Sequence, residues 1–212
     1  MKLMMKMKKI LGVLAIVCLV LPPLVFGASA APIEQVRDTV EGILAVMRDE
    51  ALSDPAQKDE RRTKLMALVD DRFDFMEMAK RSLGRNWKVR TKEERAVFQD
   101  LFADLLKNTY VGRIEAYSDE KIEYSKEIFG RNKSDRAKVY TKILKNGHEI
   151  PINYSLMVKG NEWLVYDVVI EGVSLVRNYR TEFGRILNKE KFPGLLSRIQ
   201  EKIQINEEKR EK

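Results

Sequence analysis

The stretch AKVYTKILKNGHEIPINYSLMVKGNEWLVYDVVIEGVSLVRNYRTEF, Ala137 to Phe183, decides the fold. Val139, Tyr140, Ile143 and Leu144 make Ala137 to Leu144 a strand, and Asn146-Gly147 is a two-residue hairpin signal, because both positions of such a turn need positive φ. From Glu149 to Val158 the residues Ile150, Ile152, Tyr154, Leu156 and Val158 alternate with polar ones, which is the period of a half-buried strand. Lys159-Gly160-Asn161 makes a second turn into Trp163 to Ile170, so these strands form an antiparallel meander. In the last strand, simple alternation puts Trp163, Val165 and Val169 on one face and Leu164, Tyr166, Val168 and Ile170 on the other. Both faces must then be covered. Gly172 breaks the strand, Ser174 is a helix N-cap, and a helix from Ser174 to about Asn188 carries Tyr179 and Phe183 on one stripe. A break near Phe192-Pro193-Gly194 precedes a final helical segment, Leu195 to Ile205.

Upstream the period is helical. Ile33, Val36, Val40, Ile43, Leu44 and Met47 recur at spacings of three and four and predict an amphipathic helix. Ser53-Asp54-Pro55 supplies a cap with proline in the first turn, and Leu65, Leu68 and Val69 follow on a second helix. Asp70, Asp71 and Asp74 lack the glycine and the twelfth-position glutamate of a calcium loop, so capping and surface charge account for them. Met76 to Leu83 predicts a short helix ended by Gly84. Thr91-x-x-Glu94 is a capping box opening the longest helix, whose stripe runs from Val97 and Phe98 through Tyr110 to Ile114. Lys121 to Phe129 predicts one further strand. Helices, then an antiparallel sheet, then covering helices is the order of an α+β chain.

The first thirty residues have the form of a secretory signal peptide. Lys2, Lys6, Lys8 and Lys9 precede an apolar run, and Ala28-Ser29-Ala30 ends it, so cleavage is expected after Ala30 and the protein is expected to be exported. Cys18, the chain's one cysteine, lies in this leader. The organisation expected is therefore a leader at 1–30, one domain at 31–205 with a helical part at about 31–117 and a sheet part at about 118–205, and a charged tail at 206–212. The chain has 39 Lys and Arg against 32 Asp and Glu, but four of the lysines belong to the leader, which lowers the net charge from +7 to +3. Nucleic acid is therefore not indicated as a partner.

Catalytic and metal chemistry fail on inventory. With one histidine, His148 beside a hairpin tip, and no cysteine after the leader, the usual zinc sets and a Ser-His-Asp arrangement have no parts. Gly172-Val173-Ser174 begins like a nucleophile elbow, but Val176 stands where the second glycine belongs. Asp167, among apolar neighbours, needs a hydrogen-bond partner or an arginine. The reading is a non-enzyme with no cofactor and no metal.

The segments YDVVIEGVSLVRNYRTEF (166–183), FDFMEMAKRSLGRNW (73–87) and EERAVFQDLFADLLKNTY (93–110) together resemble the MlaC family, also called the toluene tolerance or phospholipid-binding auxiliary family. The resemblance implies an NTF2-like cone with a helical subdomain around an apolar cavity. It further implies a monomeric periplasmic carrier that shuttles phospholipid between an outer-membrane lipoprotein complex and an inner-membrane ABC transporter complex with its ring protein, maintaining outer-membrane lipid asymmetry. For such a cavity the lining candidates are Phe98, Leu101, Leu105, Tyr110, Ile152, Tyr154, Leu156, Tyr166, Val168, Ile170, Val173, Leu175 and Tyr179. Each of these is equally a candidate for ordinary core. Arg113, Arg177 and Arg180 are candidates for a headgroup phosphate, a partner's acidic surface or plain solvent. Two alternatives stay open beside the carrier: an interaction or assembly factor whose pocket is filled core, and a carrier for hopanoid-type lipids.

Overall fold

The computed structural model describes residues 30–117, 120–131 and 133–211. The leader segment before Ala30, with Cys18, lies outside the described residues. Helices come first: α1 (Pro32–Arg48), two 3-10 turns (Glu50–Leu52 and Pro55–Gln57), α2 (Lys58–Arg72), α3 (Phe75–Leu83), α4 (Arg85–Lys88) and α5 (Lys92–Glu115). The sheet follows, with β1 (Lys121–Gly130), β2 (Lys133–Lys145), β3 (His148–Lys159), β4 (Glu162–Ile170) and the short β5 (Val173–Ser174), before α6 (Leu175–Glu211). All neighbours pair antiparallel in the order β1-β2-β3-β4-β5, so the α+β reading and the meander both hold.

The helix ends follow the local chemistry. Asp54 Oδ1 accepts from the amide of Ala56 at 2.8 Å, and Asp74 Oδ1 accepts from that of Glu77 at 3.0 Å. The Thr91–Glu94 capping box closes in both directions, at 3.1 and 2.9 Å. Helix α6 breaks at Lys191, with φ of 62°, slightly earlier than the break expected around Pro193. Pro193 then sits in the first turn of the resumed helix, where its missing N–H leaves no bond unmade.

The sequence misplaces one strand face. Simple alternation sets Val168 and Ile170 opposite Val165, but in the β3–β4 register Ser155 pairs with Asp167 and Leu156 with Val165. Tyr166 is thus an extra residue, a β-bulge, and one extra residue shifts the side-chain phase by one. Trp163, Val165 and Val168 consequently share one buried cluster with Val36, Ala137, Val139 and Leu156. Tyr166 is turned to the other side, against the cluster formed by α3, α5 and α6.

That second cluster is aromatic. Phe98, Phe102, Tyr179 and Phe183 meet with ring centroids 5.2–5.8 Å apart, mostly edge to face, the geometry that aromatic quadrupoles prefer. The chain between α2 and α3 links the two clusters. The Asp74 amide donates to the Val165 carbonyl at 2.9 Å, and Lys159 at the end of β3 pairs with Asp74 Oδ2 at 3.2 Å.

Asp74 therefore caps α3 and takes the Lys159 ammonium while almost fully buried. Because Lys159 is half exposed and can be resolvated, Asp74→Ala is expected to cost about 2 kcal/mol, combining a lost cap with a broken, partly buried pair. Asp74→Asn keeps the cap and should cost about half of that. Denaturant midpoints at unchanged m-value measure both.

Candidate functional site

The sheet face that carries Val165 and Val168 is only partly filled. Helix α1 lies across one end of it: the Trp163 amide donates to Gln35 Oε1 at 2.7 Å and the Ile33 amide to Glu127 Oε2 at 2.9 Å. There Val36 packs on Val139, Leu156 and Trp163. Farther along, the helices stand off the strands and leave a cavity of about 540 Å³.

Its wall is built from one side of each element. Helix α1 gives Val40, Ile43 and Leu44, α2 gives Met66 and Val69, and α5 gives Leu106, Tyr110 and Ile114. The sheet gives Ile122, Ile143, Ile150, Ile152, Tyr154, Val165, Val168 and Ile170, and Leu175 closes the wall from α6. The bulge is what allows Val165, Val168 and Ile170 to serve the same wall. Exposed Arg113, Ala116 and Lys145 mark the open side, between the end of α5 and the β2–β3 hairpin.

Polar groups in the wall are few and mostly engaged. Lys107 pairs with Asp70 at 3.1 Å, Lys145 with Glu120 at 2.5 Å, and Arg72 Nε donates to Thr39 Oγ1 at 3.2 Å. Arg113 has no ion pair among the described residues and stands 5.3 Å from the centre of the Tyr110 ring. Burial pushes the Tyr154 phenol up to about 12, against a smaller opposing effect of its hydrogen bond with Thr141. It raises the Tyr110 phenol as well. Tyr110 and Tyr154 are therefore neutral at ordinary pH, and among the described residues the wall is made mostly of apolar side chains.

Of the residues singled out in the sequence, Tyr110, Ile152, Tyr154, Val168, Ile170 and Leu175 line the cavity, as does Arg113. Phe98, Leu105 and Tyr179 are buried in the helical cluster, with Leu101 and Tyr166 packed against it. Leu156 is in the filled part of the sheet core, and Val173 is exposed on β5. Arg177 and Arg180 are exposed on α6. The α1 and α2 wall was not singled out, although the three-and-four spacing of Val36, Val40, Ile43 and Leu44 carried the signal. Ile143 and Ile150, flanking the Asn146-Gly147 turn, were missed because a hairpin end normally points to solvent.

The corner that suggested a nucleophile is a capping device. Glu171 and Gly172 both have positive φ, 49° and 82°, the backbone of a tight hairpin turn that joins Ile170 to Val173. Ser174 Oγ accepts from the Arg177 amide at 3.1 Å and donates to Asp167 Oδ2 at 2.6 Å. Asp167 Oδ1 accepts from the Val176 amide at 3.1 Å. Two free amides at the start of α6 are thereby satisfied, and Asp167 has the partners that its apolar setting demands.

Comparison with known proteins agrees with this geometry. A phospholipid-binding protein from Ralstonia solanacearum, solved in complex with a phospholipid, superimposes with a TM-score of 0.71 at 25% identity, covering 82% of this chain and 97% of that one. The intermembrane phospholipid transport system binding protein MlaC of Haemophilus influenzae is 32% identical over 123 residues, 56% of this chain and 57% of that protein. The match thus spans little more than half of that relative's length. Residues 37–201 match the family model described as MlaC protein, and the chain belongs to the MlaC family.

Proposed function

We propose that the protein is a periplasmic carrier that holds the acyl part of a phospholipid in the cavity and shuttles it between outer- and inner-membrane complexes. The observation that carries this reading is the unfilled apolar space beneath α1 and α2. The space is open on one side and walled mostly by apolar side chains, so without a load it holds apolar surface against water, which is unfavourable in proportion to its area. A fold that keeps such a space gains by having it occupied, and each buried methylene contributes about 0.8 kcal/mol. This favours a carrier over an assembly factor with filled core. The leader-like first thirty residues point the same way, as do the two relatives, one a phospholipid-binding protein and the other the binding protein of a phospholipid transport system.

The volume also bears on the load. A cavity of about 540 Å³ lies within the size range of pockets that bury most of a small apolar ligand, which suits an acyl chain. In this reading the headgroup stays at the open side, beside Arg113, whose guanidinium has no competing carboxylate among the described residues.

Protein purified without detergent, extracted with organic solvent and examined by mass spectrometry, is expected to yield phospholipid in stoichiometric amount. Recovery of no lipid overturns the carrier reading, and recovery of a polycyclic lipid alone replaces its cargo. Paired Val40→Trp and Ile143→Trp changes put indoles into opposite walls and should remove more than half of the bound lipid with the folded circular-dichroism spectrum retained. Leu156→Arg should instead unfold the protein, since Leu156 is 0% exposed in the filled part of the core and an unpaired charge there has no partner.

A further inference from the structure

Residues 80–95 carry seven Lys or Arg against two Glu, whereas the rest of residues 31–212 carry 28 Lys or Arg against 30 Asp or Glu. The turn where α3 ends, α4 passes and α5 begins thus carries a local excess of five positive charges, as do the strands over 121–145 with eight Lys or Arg against three Asp or Glu, but in the turn they fall within sixteen residues. The fold adds a further cation there. Gly84, with φ of 57°, lets the chain reverse, and Arg180 of α6 lies against it so closely that a Cβ on Gly84 would stand 2.9 Å from Arg180 Nε.

Part of this charge is spent internally. Lys80 and Arg81 pair with Glu77 at 3.0 and 2.7 Å, and Arg90 pairs with Glu94 at 3.3 Å. Arg95 donates to the carbonyls of Trp87 and Lys88 at 3.0 and 3.2 Å and stands over the Trp87 ring. That arrangement fixes the turn. Arg85, Lys88, Lys92 and Arg180 remain, all exposed and without an ion pair among the described residues, around a tip formed by Val89, which is 67% exposed.

We propose that this turn is a docking face for an anionic phospholipid surface. A protein partner is read from buried aromatic or aliphatic anchors, and here the exposed apolar side chains near the turn are the small Val89 and Val97, while Trp87 is half-buried beneath Arg95. A charged bilayer needs no anchor pocket: each Lys or Arg near it strengthens association about fivefold, additively and subject to screening. Four such cations give a weak, reversible contact, which suits a protein that must leave again. The rise of an α-helix separates Lys92, in the patch, from Arg113, in the cavity wall, by about 30 Å, so docking leaves the cavity's open side uncovered. The purpose of docking rests on the carrier reading; the contact itself does not.

Flotation of the purified protein with vesicles of phosphatidylcholine alone, or mixed with phosphatidylglycerol, at about 10 and 150 mM salt tests the contact, since the screening length falls from ~30 to ~8 Å. Binding is expected to the phosphatidylglycerol vesicles only, and to weaken at the higher salt. The neutral triple variant R85Q/K88Q/K92Q should lose about 100-fold of it, and K88Q alone about fivefold. K121Q/K126Q/K138Q, the same change in charge on the sheet, should lose little. The proposal is overturned by equal binding to both vesicles, by no binding at low salt (the outcome if an acidic protein is the true partner), or by equal losses in the two triple variants. Lipid extracted from the purified protein before vesicles are added reports on the cavity separately, so a failed carrier reading and a failed docking face are distinguishable.

Discussion

The β-bulge at Tyr166 is the constraint on which the rest of the molecule depends. One extra residue in β4 sends Val165, Val168 and Ile170 to a single sheet face. The same step leaves Tyr166 and Asp167 to serve the opposite side, where Tyr166 packs on the helical cluster and Asp167 holds the first amides of α6. A regular strand would have divided the cavity wall between two faces and removed the carboxylate that anchors the covering helix. Sheet bulges bend and re-aim strands in this way.

The two buried clusters have different tasks. Around Phe98, Phe102, Tyr179 and Phe183 the side chains are buried against one another and join α3, α5 and α6. On the other side, α1 contacts the sheet firmly at Val36 and Gln35 and then leaves a gap. Helix α5 belongs to both, because its turns from Phe98 to Leu105 face the aromatic cluster and Tyr110 and Ile114 face the gap. A packed core beside an unfilled one lets an apolar load enter without the fold depending on it for every contact.

Charge is segregated along the same helix. The start of α5 carries the basic turn, with Arg95 fixing its geometry. Toward its other end the helix meets the cavity's open side, where Lys107 and Lys145 are matched by carboxylates. Attraction to an anionic surface and retention of an apolar load are thus handled by opposite ends of one rigid element, and neither requires the other to be rebuilt.

The sequence alone sets the α+β order, the capping residues Asp54, Asp74, Thr91 and Ser174, and the hairpin at Asn146-Gly147. Each is a local matter of period or turn chemistry, and local physics leaves a local trace. It also carried the family resemblance. It did not separate cavity wall from core: Leu105 and Tyr110 lie on one stripe of α5, yet one is fully buried among helices and the other lines a void. Hydrophobicity says that a side chain leaves water, not what it meets on doing so. Only the tertiary structure decided that, through the bulge that no pattern announced and the standoff of α1 and α2 from the sheet. It likewise brought Arg180 against Gly84, nearly a hundred residues apart in the chain, because the contact depends on how α6 packs and on nothing adjacent in sequence.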